Sequence, residues 1–159
     1  EKNQPVVRQY QRKGDMMSVK QFLYSIRDEQ TEIEELSERI EELEMSLLPG
    51  AIRYDKDKVD TSPTDQMSER MASVVDLKTE LEKRLTDLNR RKLKAQRIID
   101  TLDDSIKRQI LSCYFLTTKR SHTKLEDIGR IIGYSRRQTY RLYDEAIQEI
   151  EMALNGTDV

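Results

Sequence analysis

Arg136, Arg137, Tyr140 and Arg141 fall within six positions, with Gln138 among them and Ser135 just before. A guanidinium can grip guanine O6 and N7 with two hydrogen bonds, and a glutamine can do the same for adenine, so these residue types at this density suit base recognition. They need a helix that presents them on one side. Thr139, Leu142, Ala146 and Ile150 recur at helical spacing, and if they point inward, Arg136, Arg137, Tyr140 and Arg141 must point outward near the helix N-terminus. That is the part of a recognition helix that reaches base edges in the major groove. Gln138 serves first as a helix cap and second as an adenine reader.

The elements needed to hold this helix precede it. Thr123-Lys124-Leu125-Glu126 and Ser135-Arg136-Arg137-Gln138 both match the capping-box pattern, so two helix starts lie twelve residues apart, with Gly133 as a left-handed terminator between them. Leu125, Ile128 and Ile132 share a face of the first helix, and Gly129 beside them lets a crossing helix approach closely. This spacing predicts a helix-turn-helix. Ser135, at a helix N-terminus, and Lys119, Arg120, Lys124 and Arg130 around it are the expected phosphate contacts. Ile106, Ile110, Leu111, Tyr114 and Phe115 predict a short supporting helix after Asp103-Asp104.

Two long apolar seams lie upstream. Val19, Phe22, Ile26, Ile33, Leu36, Ile40, Leu43 and Leu47 keep the three-four alternation of a coiled coil, with only position 29 missing, as far as Pro49-Gly50. Met67, Met71, Val74, Leu81, Leu85, Leu88, Ala95, Ile99, Leu102 and Ile106 form the second seam, interrupted by Lys78 and Lys92. It starts at Ser62-Pro63-Thr64-Asp65, where serine can cap, proline suits the first helical position and aspartate faces the positive helix end. The expected fold is all-α: a flexible tail over 1–17, a helical hairpin or coiled coil over 18–100 with its loop at about 49–66, and a helix-turn-helix domain over 101–155. The seams close either within one chain or between chains. In the folded-back register the acidic stretch from Asp28 to Glu44 lies near Lys78, Lys83 and Arg84.

Charged residues make up 36% of the chain and aromatic ones 6%, without tryptophan, which argues for narrow apolar stripes on long helices and against a large globular core. The net charge of -2 hides an asymmetry: nine acidic residues against one arginine in 28–44, and seven basic against two acidic in 116–143. An enzyme needs convergent reactive groups, and His122, the sole histidine, sits in a basic turn suited to phosphate or solvent. Cys113, the sole cysteine, lies among Ile110, Leu111, Tyr114 and Phe115, which suits a small hydrophobe and precludes an internal disulfide. No metal, cofactor or membrane span is expected, and a reducing cytoplasm fits the single cysteine. The chain opens on Glu1; Met16 or Met17 would serve as a start, leaving 1–15 as an arm, and nothing there has the layout of a signal peptide.

The segments "LDDSIKRQILSCYFL" and "KLEDIGRIIGYSRRQTYRLYDEAIQEI" resemble the fourth region of bacterial sigma factors, over roughly Thr101 to Ile150. Upstream, "AIRYDKDKVDTSPTDQM" is similar to phage proteins that join a coiled-coil half to such a sigma-like end, akin to the ArpU and RinA late transcription activators. The matching residues are Tyr54, Val59, Ser62, Pro63 and Asp65, then Ile128, Gly129, Gly133, Tyr134, Ser135 and Ala146. Leu125 stands where these relatives often carry tryptophan, and Thr139 where a larger aliphatic is usual. The resemblance implies a phage or prophage late-gene activator in a Gram-positive host, with double-stranded DNA and host RNA polymerase as partners and homo-oligomerisation through the coiled helices. Nothing resembles the sigma region that melts promoters, so action as a complete sigma factor is not expected. Two other classes fit the elements: a small-terminase-like DNA-packaging protein, and a helical adaptor acting through its acidic coiled coil.

Overall fold

A computed structural model of the chain describes residues 17–48, 63–117 and 123–155. Within them the protein is all-α, without strands: α1 (Val19–Ser46), α2 (Pro63–Ile99), α3 (Ser105–Leu111), α4 (Leu125–Ile132) and α5 (Arg136–Asn155). The last turn of α3 widens into a π-helical turn over Ser112–Leu116. The expected tail up to residue 16, the loop residues 49–62, and Lys119, Arg120 and His122 lie outside the described residues.

The start of α1 is fixed locally. Ser18 Oγ accepts from the Gln21 N–H at 3.1 Å while Gln21 Oε1 accepts from the Ser18 N–H at 2.9 Å, a capping box written in the sequence as Ser18-Val19-Lys20-Gln21. Proline opens α2, and Asp65 sits in its first turn, where the helix dipole favours negative charge.

The chain divides into two compact units. One comprises residues 29–90, the larger parts of α1 and α2. Lys78 of α2 pairs with Glu44 of α1, and Arg84 pairs with Glu29, at 2.9 Å, and with Glu32. Partners descend α1 as they ascend α2, so the two helices run antiparallel as a hairpin. Of the three cations expected against the acidic stretch, Lys78 and Arg84 take these places, and Arg84 is held well above its ordinary pKa, first by its hydrogen bonds to Glu29 and Glu32. Ile33, Ile40, Val74 and Leu88 are buried here, together with Gln30, which occupies a seam position. Met67, Met71 and Leu85, expected in the second seam, stay exposed.

The other unit joins the two ends of the hairpin helices to the C-terminal helices, so its division from the first falls at 28/29 and 90/91 and not near 100. Leu23 and Ile26 of α1, Ala95, Ile98 and Ile99 of α2, Leu102, Ile110, Leu111, Phe115, Leu125, Ile128, Ala146, Ile147 and Ile150 form its core. The α1 seam is therefore shifted in phase from the expected one: Leu23 is completely buried and Phe22 only partly, so the buried positions step by three from Leu23 to Ile26, by four to Gln30 and by three to Ile33. The α2 seam also breaks. The helix stops at Ile99, and Leu102 is buried from the following turn, whose carbonyls at Leu102 and Asp103 accept from Arg108 Nη1. Asp104 then caps α3, its Oδ1 accepting from the Ile106 and Lys107 N–H groups.

Candidate nucleic-acid interface

The turn between α4 and α5 is set by two glycines with different tasks. Gly133 ends α4 at φ +79°, a left-handed conformation that only glycine adopts cheaply, and the N–H groups of Gly133 and Tyr134 both reach the Gly129 carbonyl, the latter at 2.8 Å. Gly129 is needed for space. A Cβ there would stand 2.4 Å from Thr139 Oγ1 and 3.1 Å from the Tyr134 carbonyl oxygen. Thr139 is fully buried, and its hydroxyl donates to the Ser135 carbonyl at 3.0 Å. A threonine of modest volume thus lets α5 pack directly on α4.

The second capping box forms as the sequence predicts. The Gln138 N–H donates to Ser135 Oγ at 3.3 Å, and Gln138 Oε1 accepts from the Ser135 N–H at 3.2 Å and from its hydroxyl at 2.9 Å. The first does not form. Lys124, not Thr123, is the cap of α4 and makes no side-chain bond there; its carbonyl accepts from Asp127 and Ile128. The Thr123 carbonyl is taken by Arg27 Nη2 of α1 at 3.4 Å, a partner far away in sequence.

Burial of α5 orients its polar face. Thr139, Ala146 and Ile150 point inward as expected and Leu142 is half-buried; Tyr143 and Ile147, not anticipated, are buried with them. Arg136, Arg137, Gln138, Tyr140 and Arg141 are all exposed, as are Ser135, Lys124 and Arg130. The side chains of Arg136 and Arg141 are 73% and 67% exposed, and each meets one carboxylate: Arg136 Nε is 3.0 Å from Glu126 Oε1, and Arg141 Nε is 3.5 Å from Glu145 Oε1. Arg130 Nη1 lies 3.4 Å from Asp127 Oδ1. The Arg136 guanidinium also lies 5.7 Å from the Tyr140 ring centroid, within cation–π range.

Behind this face is an aromatic cluster that sequence reasoning missed as a unit. Tyr24 of α1 packs edge-on against Tyr114 and Phe115, and its hydroxyl shares a 3.1 Å hydrogen bond with that of Tyr143. The π-helical turn lets the adjacent Tyr114 and Phe115 both join, with Arg27 stacked 3.9 Å over the Tyr114 ring. Burial, and then the hydrogen bond from Tyr24, pushes the Tyr143 hydroxyl far above the ordinary tyrosine value; burial likewise raises Tyr114. An open cavity of about 320 Å³ adjoins the cluster, lined among others by Arg27, Lys124, Glu126, Tyr140 and Asp144.

Lys107 is the second feature missed. Its ammonium is buried against α5, paired with Glu149 and, at 3.1 Å, with Glu145, and the hydrogen bond to Glu149 is the largest cause of a raised pKa. Lys107 stands three and four residues before the buried Ile110 and Leu111, which places it on the inward face, a signal that gains meaning only once α3 is known to pack against α5. Among the described residues no three His, Cys, Asp or Glu side chains converge as metal ligands would, and no helix is long and apolar enough to cross a membrane. Comparison of the chain with protein-family models, curated proteins and solved structures gives no match.

Proposed function

We propose that the protein is a sequence-specific DNA-binding transcription regulator that places the N-terminal turns of α5 in the major groove. One observation carries this reading: a close-packed α4–glycine turn–α5 pair leaves Arg136, Arg137, Tyr140 and Arg141 exposed together at the start of α5. Such a helix start reaches base edges in known two-helix readers. Ser135, Lys124 and Arg130 flank it as phosphate contacts, and Gln138 Oε1 is engaged in the cap, leaving its Nε2 as the group able to donate to a base.

Regulation of late phage or prophage genes, with host RNA polymerase as a partner in a bacterial cytoplasm, rests on the likeness to sigma region four. Homo-oligomerisation is supported by Met67, Met71 and Leu85, seam residues that one chain leaves exposed; a two-fold pair would match a two-fold operator. The test is anisotropy binding of the full chain to fragments tiling its own genetic element, against scrambled DNA, at two salt concentrations. A fragment held tightly at the higher salt supports the reading. Uniform binding erased by salt would refute it and leave only a phosphate-binding surface.

A further inference from the structure

The arginines at the start of α5 do not share one environment, and the difference sorts their tasks. A guanidinium carries five N–H donors in a planar fork, so a carboxylate at its Nε side leaves the opposite edge, made of Nη1 and Nη2, able to pair with guanine O6 and N7. Holding the side chain in advance also removes rotamer entropy that binding would otherwise cost. Arg136 is met at Nε by Glu126 of α4 at 3.0 Å, with Tyr140 beside its guanidinium. Arg141 is met at Nε by Glu145 at 3.5 Å, and Glu145 is itself anchored 3.1 Å from the buried Lys107. Arg130, in contrast, is met at Nη1 by Asp127.

Resting on the DNA-reading function above, we propose that Glu126 and Glu145 are positioning residues for base recognition, holding Arg136 and Arg141 by Nε so that their Nη1/Nη2 edges face guanine. Arg130, whose Nη1 is met by Asp127, and Arg137, which is exposed with no carboxylate at its Nε among the described residues, then serve as phosphate contacts, which moves Arg137 from the base readers expected above. The carboxylates also repel the DNA backbone, so they trade affinity for random sequence against discrimination.

The experiment is selection of binding sites from random duplexes by the full-length chain, followed by anisotropy on the selected site and its single-base variants. If wild type enriches no consensus, the DNA-reading function itself fails. Given a consensus, Glu126→Gln should reduce the preference for guanine at one position about 10-fold, within what one bidentate pair supplies, while affinity for random DNA stays level or rises. Arg136→Ala should relax the same position. Arg137→Ala should weaken consensus and random DNA alike and lower the salt slope by about one unit. The positioning role is overturned if Glu126→Gln leaves discrimination intact while Arg136→Ala abolishes it, if Arg136→Ala relaxes no position, or if Arg137→Ala relaxes a base position. Glu126→Gln carries the test because Glu145→Gln also releases Lys107; unchanged melting of Glu126→Gln establishes that any loss of discrimination is not a loss of fold.

Discussion

Single atoms decide how α4 and α5 meet. Gly129→Ala puts a methyl 2.4 Å from Thr139 Oγ1, an overpacking that should cost about 1 to 3 kcal/mol in thermal or urea unfolding. Removing the hydroxyl by Thr139→Ala should recover part of that loss, with the 3.1 Å approach to the Tyr134 carbonyl retaining the rest; a double-mutant cycle measures the coupling. Gly133→Ala meets nothing within 4 Å, so its cost, about 1 kcal/mol, comes from the left-handed backbone alone and should show no coupling to Thr139. The sequence already separates the two, Gly133 as a left-handed terminator and Gly129 as the place of close helix approach. The contacts add that the atoms Gly129 makes room for belong to Thr139 and Tyr134.

At the scale of elements, caps and cross-helix ion pairs dominate. Ser135→Ala removes the two bonds that the Ser135 hydroxyl makes with Gln138, leaving the backbone N–H bond to Gln138 Oε1, and should destabilise the protein by about 1 kcal/mol without DNA present, fraying the helix start that bears the exposed arginines. Lys107 ties α3 to α5, and Lys107→Met should cost about 2 kcal/mol, since charged hydrogen bonds are lost while Glu145 and Glu149, each 44% exposed, remain hydrated. The two capping-box patterns were equally legible in the sequence, yet only one formed. Local hydrogen bonds settle Ser135 and Gln138, whereas the carbonyl at Thr123 finds Arg27, almost a hundred positions away.

For the whole molecule, the C-terminal unit depends on residues from the other end of the chain. Tyr24 and Arg27 supply ring and hydrogen-bond contacts to Tyr114, Tyr143 and Thr123, and Arg91 donates to Ser25 Oγ. A fragment of residues 101–155 should therefore melt well below the full chain, and Tyr24→Ala in the full chain should cost about 3 to 5 kcal/mol, measured by thermal unfolding. An independent fold of that fragment with full-chain stability would refute the shared core. Stability should also fall in alkali. Lys107 and Tyr143 both titrate above their ordinary values near 10 in the folded chain, so the folded state binds more protons there. Their contributions are complete below those ordinary values and are lost as pH rises through the folded ones. Urea titrations from pH 9 upward should show the decline, with a shallower slope in Lys107→Met.

The sequence by itself determined the helices, the site of the α4–α5 turn, the Ser135 cap and the exposure of Arg136, Arg137, Tyr140 and Arg141, because all of these follow from periodicity and bonds between residues a few positions apart. Tertiary structure alone decided the rest. Leu23 replaced Phe22 in the core through a one-residue difference in helical phase, Lys107 became buried because two carboxylates of α5 await it, and Tyr24 joined the C-terminal unit because hairpin folding brings distant segments together. It also fixed which carboxylate meets which arginine, since Glu126 and Arg136 lie on different helices and only their packing puts them in contact.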